Sequence, residues 1–179
     1  MSGVFSGKLA ERTSYTGNWI LLYSNDVAVS TAQDTDTYHG LHDLNESVCV
    51  VIFNQNDEIL MVRSDDDNTD TGKWRIPSGP IEECETSNEA AERECLDGAG
   101  CEIHGLTYLC CHNPGDGVTD RPMHVYAARI SNDFESFEAN DEESRSWVKR
   151  EKMIDMLKND DMRGEATMRA LLHVLEFYF

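Results

Sequence analysis

The sequence predicts a mixed α/β fold (α+β mixed), a helix-sheet-helix sandwich around a mixed sheet, with small antiparallel strands added at the N-terminus. Three observations carry this. Ser47–Phe53 (SVCVVIF) and residues 58–63 (EILMVR) are apolar, β-branched runs joined by the turn sequence NQND, which makes a hairpin. A short acidic helix follows from Thr86. Residues 164–177 then place Met168, Leu171, Leu172 and Leu175 at the spacing of one helical face.

Residues 1–8 carry no pattern and read as a loose end. Residues 16–24 (TGNWILLYS) read as a strand, with 27–30 and 35–39 as two shorter ones around the polar loop TAQDTD. These strands look too short and irregular for a core of their own. Residues 1–46 are therefore expected to form an appendage that pairs with a second copy, and 47–179 the main domain. After the hairpin, SDDDNTDTG reads as a solvated loop. As a calcium loop it fails, because counting from Asp66 the glycine comes seventh instead of sixth and no Glu closes position twelve. Thr86 and Glu89 make a capping box, Ala90 and Ala91 favour helix, and Gly98 with Gly100 supplies the expected stop. Residues 102–111 and Met123–Ile130 read as strands around the loop HNPGDGVTDR. Residues 131–146 read as a polar connection and 150–157 as a short helix.

The charge balance narrows the function. With 34 acidic against 15 basic residues in 179, the net charge is −19, which would repel a nucleic-acid backbone or an anionic membrane. An anionic substrate would then need metal ions to screen its site. The same acidity fits adaptation to a salty cytoplasm, an alternative that the scarcity of Lys leaves open. Six cysteines (Cys49, Cys84, Cys95, Cys101, Cys110 and Cys111) form no C-x-x-C pair and read as reduced core thiols. No apolar run reaches signal-peptide length or the ~20 residues of a membrane span. A cytoplasmic location is the expectation.

The chemistry concentrates in residues 79–101. Glu94 and Asp97 stand one turn apart on one helix face, aiming two carboxylates at one point, and hard oxygen ligands so placed suit Mg²⁺ or Mn²⁺. By composition alone a solvated acidic face is the commoner explanation. The spacing is more specific. Gly79, five residues, Glu85, seven residues, Arg93-Glu94-Cys95-Leu96-Asp97 and then Gly100-Cys101 resembles the Nudix box, G-x5-E-x7-R-E-U-x-E-E-x-G-U with U apolar. The approach Gly72-Lys73-Trp74-Arg75-Ile76-Pro77 resembles the family's G-x-W-x-L-P. Two positions depart: Asp97 is a conservative change, but Gly98 replaces a carboxylate that usually holds metal.

Further likeness narrows the group. Gly17-Asn18-Trp19, the I-E-x-x-E turn from Ser78 to Glu85, Asn113-Pro114-Gly115 with Asp120, and Met162-Arg163-Gly164-Glu165 resemble ADP-ribose pyrophosphatases, although Arg121 stands where that group often has an acid. The resemblance implies a Nudix-type sandwich that hydrolyses the diphosphate of ADP-ribose or a related nucleoside diphosphate sugar. It also implies that Glu94, Asp97 and the backbone carbonyl of Ser78 hold Mg²⁺ or Mn²⁺, and that Arg93 pairs with Glu85 to lock the turn onto the helix. A further catalytic acid is implied among Asp141, Glu142 and Glu143, with Glu142 as the representative. Trp19 and Tyr38 are implied to meet the adenine across a homodimer, with Arg63, Pro114 and Gly115 as further substrate contacts. Either ring is alternatively core, and Gly98 keeps open a nucleotide-binding module without turnover.

Overall fold

The computed structural model describes residues 5–17, 20–29, 35–43, 45–63, 73–113, 122–131, 145–162 and 164–178. The chain divides into two units, the first carrying the N-terminal strands and the second everything from Ser47 onward that bears a helix.

In the first unit, β1 (Phe5–Thr16), β2 (Ile20–Val29) and β3 (Thr35–Asp43) form an antiparallel sheet in the order β1-β2-β3. This corrects three expectations. Residues 5–8 are strand rather than loose end, the strand expected at 16–24 begins only at Ile20, and residues 27–29 continue it instead of forming another. The strands are also longer than their patterning suggests, which removes shortness as a reason to need a partner sheet. Three register shifts between β1 and β2 break the period-two alternation that would have marked β1 in the sequence. Polar pairs tie the strands instead: Arg12 pairs with Asp26, which also accepts from Thr37 Oγ1 at 3.1 Å.

The second unit contains β4 (Ser47–Phe53), β5 (Ile59–Arg63), β6 (Trp74–Arg75), β7 (Ser78–Pro80), α1 (Ser87–Ala99), β8 (Ile103–His112), β9 (Met123–Ile130), β10 (Arg145–Val148), α2 (Arg150–Lys158) and α3 (Glu165–Phe177). Its sheet runs β10-β5-β4-β9-β8, with β4 and β9 parallel and the other pairs antiparallel, so the mixed sheet is as expected. Alternate residues of β4 feed opposite layers. Cys49, Val51 and Phe53 pack with Met153, Met156, Ala170, Leu171 and Val174 of α2 and α3, whereas Val48, Val50 and Ile52 pack with Ala90, Ala91, Cys95 and Ala99 of α1. That is why all seven residues of β4 are buried, and why its run is apolar without alternation.

The predicted hairpin has an unexpected shape. β4 and β5 pair only at Phe53 and Ile59, and the strands then part. The segment 74–80 enters the gap, β6 pairing with β5 and β7 with β4, while the Val50 amide donates to the Pro77 carbonyl at 3.0 Å. The start of the box is thereby built into the sheet. β10, read from sequence as the end of a polar connection, is a short strand against β5 with a single buried residue, Val148.

All six cysteines are free thiols. Cys49, Cys95 and Cys101 are core residues as expected, and burial pushes the Cys49 thiol up to about 12. Cys84 and Cys111 are exposed, against expectation, because one sits in the left-handed turn before α1 (φ 67°) and the other on the edge strand β8. No helix among the described residues is long and apolar enough to cross a membrane.

Candidate active site

The box folds from its helix outward. Thr86 caps α1, its Oγ1 accepting from the Glu89 amide at 3.3 Å while the Glu89 carboxylate accepts from the Thr86 amide at 2.8 Å. The helix ends at Gly100, whose left-handed conformation (φ 65°) lets its amide donate to the Leu96 carbonyl at 2.9 Å. Gly98 takes no part in this stop. It is a residue of the helix itself, and a Cβ built there meets nothing within 4 Å.

Arg93 locks the preceding turn onto the helix. Its Nε donates to Glu85 Oε1 at 2.8 Å and its Nη2 to Glu85 Oε2 at 2.9 Å, a bidentate pair; Nη2 also reaches the Pro80 carbonyl at 2.8 Å and Nη1 reaches Glu94 Oε1 at 2.7 Å. Glu85 Oε2 accepts in addition from the Glu82 amide at 2.9 Å. With the Glu85 side chain only 13% exposed and Arg93 27%, this is a largely enclosed pair rather than a surface one. The Arg93 hydrogen bonds hold the Glu85 carboxyl below the usual range. The Pro80 carbonyl is a partner that residue spacing could not reveal, since a backbone acceptor leaves no mark on the sequence.

Glu94 is the other product of this lock. Its carboxylate lies against Gly79, so that any Cβ at residue 79 would overlap it. A side chain at residue 79 would therefore have to displace the Glu94 carboxylate from the place where Arg93 holds it. Asp97, one turn on, is exposed, as are Glu82 and Glu83. Ser78 sits beside Gly79 in β7 and pairs with Cys49. Arg63 places its guanidinium 4.3 Å from the centroid of the Trp74 ring. Trp19, Pro114, Gly115, Asp141, Glu142 and Glu143 lie outside the described residues, as does the side chain of Tyr38. The structure therefore brings together Gly79, Glu85, Arg93 and Glu94, with Pro80 as an unforeseen fifth member.

The NUDIX domain pattern matches residues 43–171, most of the chain and all of this site. The chain belongs to the NUDIX domain family. A crystal structure of an ADP compounds hydrolase superposes with a TM-score of 0.76 at 22% identity over 99% of this chain and 96% of that one, so the two share the Nudix fold. An 8-oxo-dGDP phosphatase of Danio rerio is 37% identical over 76 residues, 40% of this chain and 23% of that protein. A CMP-5'-(N-acetyl-N-hydroxy-3-aminopropyl)phosphonate hydrolase of Streptomyces rubellomurinus is 25% identical over 130 residues, 70% of this chain and 62% of that protein. This chain thus spans less than two thirds of either curated relative.

Nudix enzymes generally use divalent metal ions. Among the described residues no group of three or more His, Cys, Asp or Glu side chains forms a ready metal cluster. The donors at the box are nonetheless oxygen only, a carboxylate on Glu94 held in place by Arg93 and the spare carboxylate of Asp97. A hard cation that keeps several waters and takes further ligands from phosphate needs no more than one or two such carboxylates. The residues fit such an ion.

Proposed function

We propose that this Nudix protein hydrolyses the diphosphate of ADP-ribose or a related nucleoside diphosphate sugar, giving a nucleoside monophosphate and a sugar phosphate. The observation that carries this reading is the enclosed Glu85–Arg93–Pro80 lock, which fixes Glu94 over Gly79. Glu94, Asp97 and the Ser78 carbonyl would hold Mg²⁺ or Mn²⁺, which when bound activates water and offsets charge on the phosphoryl oxygens. Arg93 acts on Glu94 and on the turn, orienting both. Glu142, or its neighbour Asp141 or Glu143, supplies the late acid. Trp19 and Tyr38 stack on the base, and Arg63, Pro114 and Gly115 complete the substrate contacts. The relatives support this choice of substrate class, since each is named for a nucleotide or nucleotide conjugate. The protein acts in the cytoplasm as a homodimer through its N-terminal strands, without nucleic-acid or membrane partners.

The test is a panel of nucleoside diphosphate derivatives incubated with Mg²⁺ or Mn²⁺, run beside Glu94→Gln. Release of a nucleoside monophosphate by the wild type and its loss in the variant is the expected result. Turnover unchanged by Glu94→Gln would place the chemistry elsewhere. One observation favours a second reading, a nucleotide-binding module without turnover: Gly98 stands in open space where the family's box carries a carboxylate. Binding of the same nucleotides with no product under either metal would select it.

A further inference from the structure

Arg75 occupies the second position of β6 and pairs across the sheet with Val62 of β5; Val62 pairs in turn with Arg145 of β10. Directly opposed residues put their side chains on one face, so Arg145, Val62 and Arg75 form a row. Val62 belongs to the apolar layer beneath α1, and so does Val48, the partner of Gly79. Arg75 therefore shares with Gly79 the face of the sheet that α1 covers. It lies between the strand that carries Gly79 and the strand that carries Arg145. Those two residues mark the helix above: Gly79 meets Glu94, and the Arg145 guanidinium stands 2.7 Å from where a Cβ of Gly100 would be.

Arg75 is half-buried, its Nε is enclosed without a hydrogen bond, so that the Nη edge of its guanidinium is the part a ligand can meet, and its side chain makes no ion pair among the described residues. Other arginines of this unit have partners. Arg93 holds Glu85 and Glu94, Arg129 holds Asp57 and the Asn54 carbonyl, and Arg150 reaches the Leu175 carbonyl. A guanidinium N–H removed from water without an acceptor is destabilising. With 34 acidic residues against 15 basic ones, a shortage of carboxylates does not explain the missing acceptor. The open space at Gly98 is a second, independent observation: the box is one carboxylate short, so it can gather less cation charge for a diphosphate to meet.

We propose that Arg75 is the anion anchor of this site, the two Nη nitrogens of its planar guanidinium binding two oxygens of the substrate diphosphate and supplying fixed positive charge that the shortened carboxylate set cannot recruit. The inference rests on the diphosphate reading of the site, but its test does not need turnover. Inorganic pyrophosphate is titrated into the wild type, Arg75→Gln and Arg75→Lys by calorimetry in the presence of EDTA, with thermal denaturation of each protein alone. The wild type binds. Arg75→Gln weakens binding at least tenfold without lowering the melting temperature of the unliganded protein, since no internal partner is lost. Arg75→Lys, which keeps the charge but not the fork, falls between them and carries the test if the Gln variant fails to fold. Equal affinity in wild type and Arg75→Gln overturns the proposal, as does a wild type that binds no pyrophosphate. If pyrophosphate binding depends on Arg75 while no nucleoside diphosphate derivative is hydrolysed, the anchor stands and the hydrolase reading falls. If hydrolysis occurs while binding is indifferent to Arg75, the hydrolase reading stands and the anchor falls.

Discussion

Gly98→Glu places a carboxylate four residues beyond Glu94 on the same helix stripe, where the resemblance to the Nudix box expects one. Steric cost is absent, because Gly98 lies inside α1, its Cβ position is open, and the left-handed stop belongs to Gly100. Replacing a helical glycine by Glu gains about 0.5 kcal/mol of helix propensity. Against this stand like-charge repulsion from Glu94 at i,i+4, about 0.2–0.5 kcal/mol, and an acid near the negative end of the helix dipole, about 0.3–1 kcal/mol. These nearly cancel, so the metal-free variant should match the wild type within about 1 kcal/mol, while Gly98→Gln, with the propensity but not the charge, should be slightly more stable. With Mn²⁺ the order changes. If the new carboxylate tightens binding tenfold, the linkage adds about 1.4 kcal/mol at saturation, or roughly 3–5 °C of extra melting-temperature rise in a chain of this size. Turnover on the best diphosphate substrate should rise in step, a tenfold gain again being about 1.4 kcal/mol. Differential scanning calorimetry with and without Mn²⁺, together with the kinetics of nucleoside monophosphate release, reads both. A folded Gly98→Glu protein that binds Mn²⁺ no more tightly than Gly98→Gln and turns over no faster would refute the argument that this position is the missing ligand.

Gly79→Ala should damage the site out of proportion to its size, since the added methyl overlaps the Glu94 carboxylate; loss of turnover with a native-like fold by circular dichroism is expected, and full activity would show that Glu94 can move without consequence. Glu85 should confer a pH-dependent share of stability. Its folded-state carboxyl lies below the ordinary value because Arg93 donates to it, so the contribution is present above about pH 4 and disappears as pH falls through the depressed folded value. Urea denaturation of wild type and Glu85→Gln should therefore show a stability gap at pH 7 that narrows toward pH 3, whereas a gap constant across that range would mean that the Arg93 pair is not its source. The proposed homodimer predicts one sedimenting species of twice the chain mass at micromolar concentration, and a monomer there would remove it.

The second unit was legible because burial wrote it into the sequence. β4 faces a helix layer on each side, so it had to be continuously apolar, and α1 announces itself through Thr86, Glu89 and the glycine beyond its last turn. β6, β7 and β10 were not legible for the opposite reason. They are two to four residues long with at most one buried side chain, and β6 and β7 exist because β4 and β5 part after a single pair, which no local signal encodes. β1 was missed where bulges and exposed polar side chains erased alternation. At the box, spacing anticipated the contact of Arg93 with Glu85, because the box is a one-dimensional record of it. Spacing could not reveal the Pro80 carbonyl, nor say whether Gly98 stops the helix or continues it.

That last distinction bears on how the molecule balances charge. A box that ended its helix at Gly98 would have no place for a further carboxylate, and its absence would be a consequence of geometry. Since the helix instead runs through Gly98 to Gly100, nothing structural forbids a carboxylate there. A diphosphate approaching a protein of net charge −19 must meet positive charge from bound ions, from arginine, or from both. Arg93 supplies little of it, because its charge is already answered by Glu85 and Glu94 and its Nη2 also donates to the Pro80 carbonyl. Arg63 is partly engaged by the face of Trp74. Of the arginines placed on the sheet beneath α1, Arg75 combines partial burial with a guanidinium that no acid among the described residues answers. Restoring the acid at residue 98 should accordingly make the protein less dependent on Arg75, so the penalty of Arg75→Gln on pyrophosphate binding in the presence of Mn²⁺ should shrink in the Gly98→Glu background. Purely additive effects of the two substitutions in that double-mutant cycle would separate the anchor from the missing ligand and leave each to be explained alone.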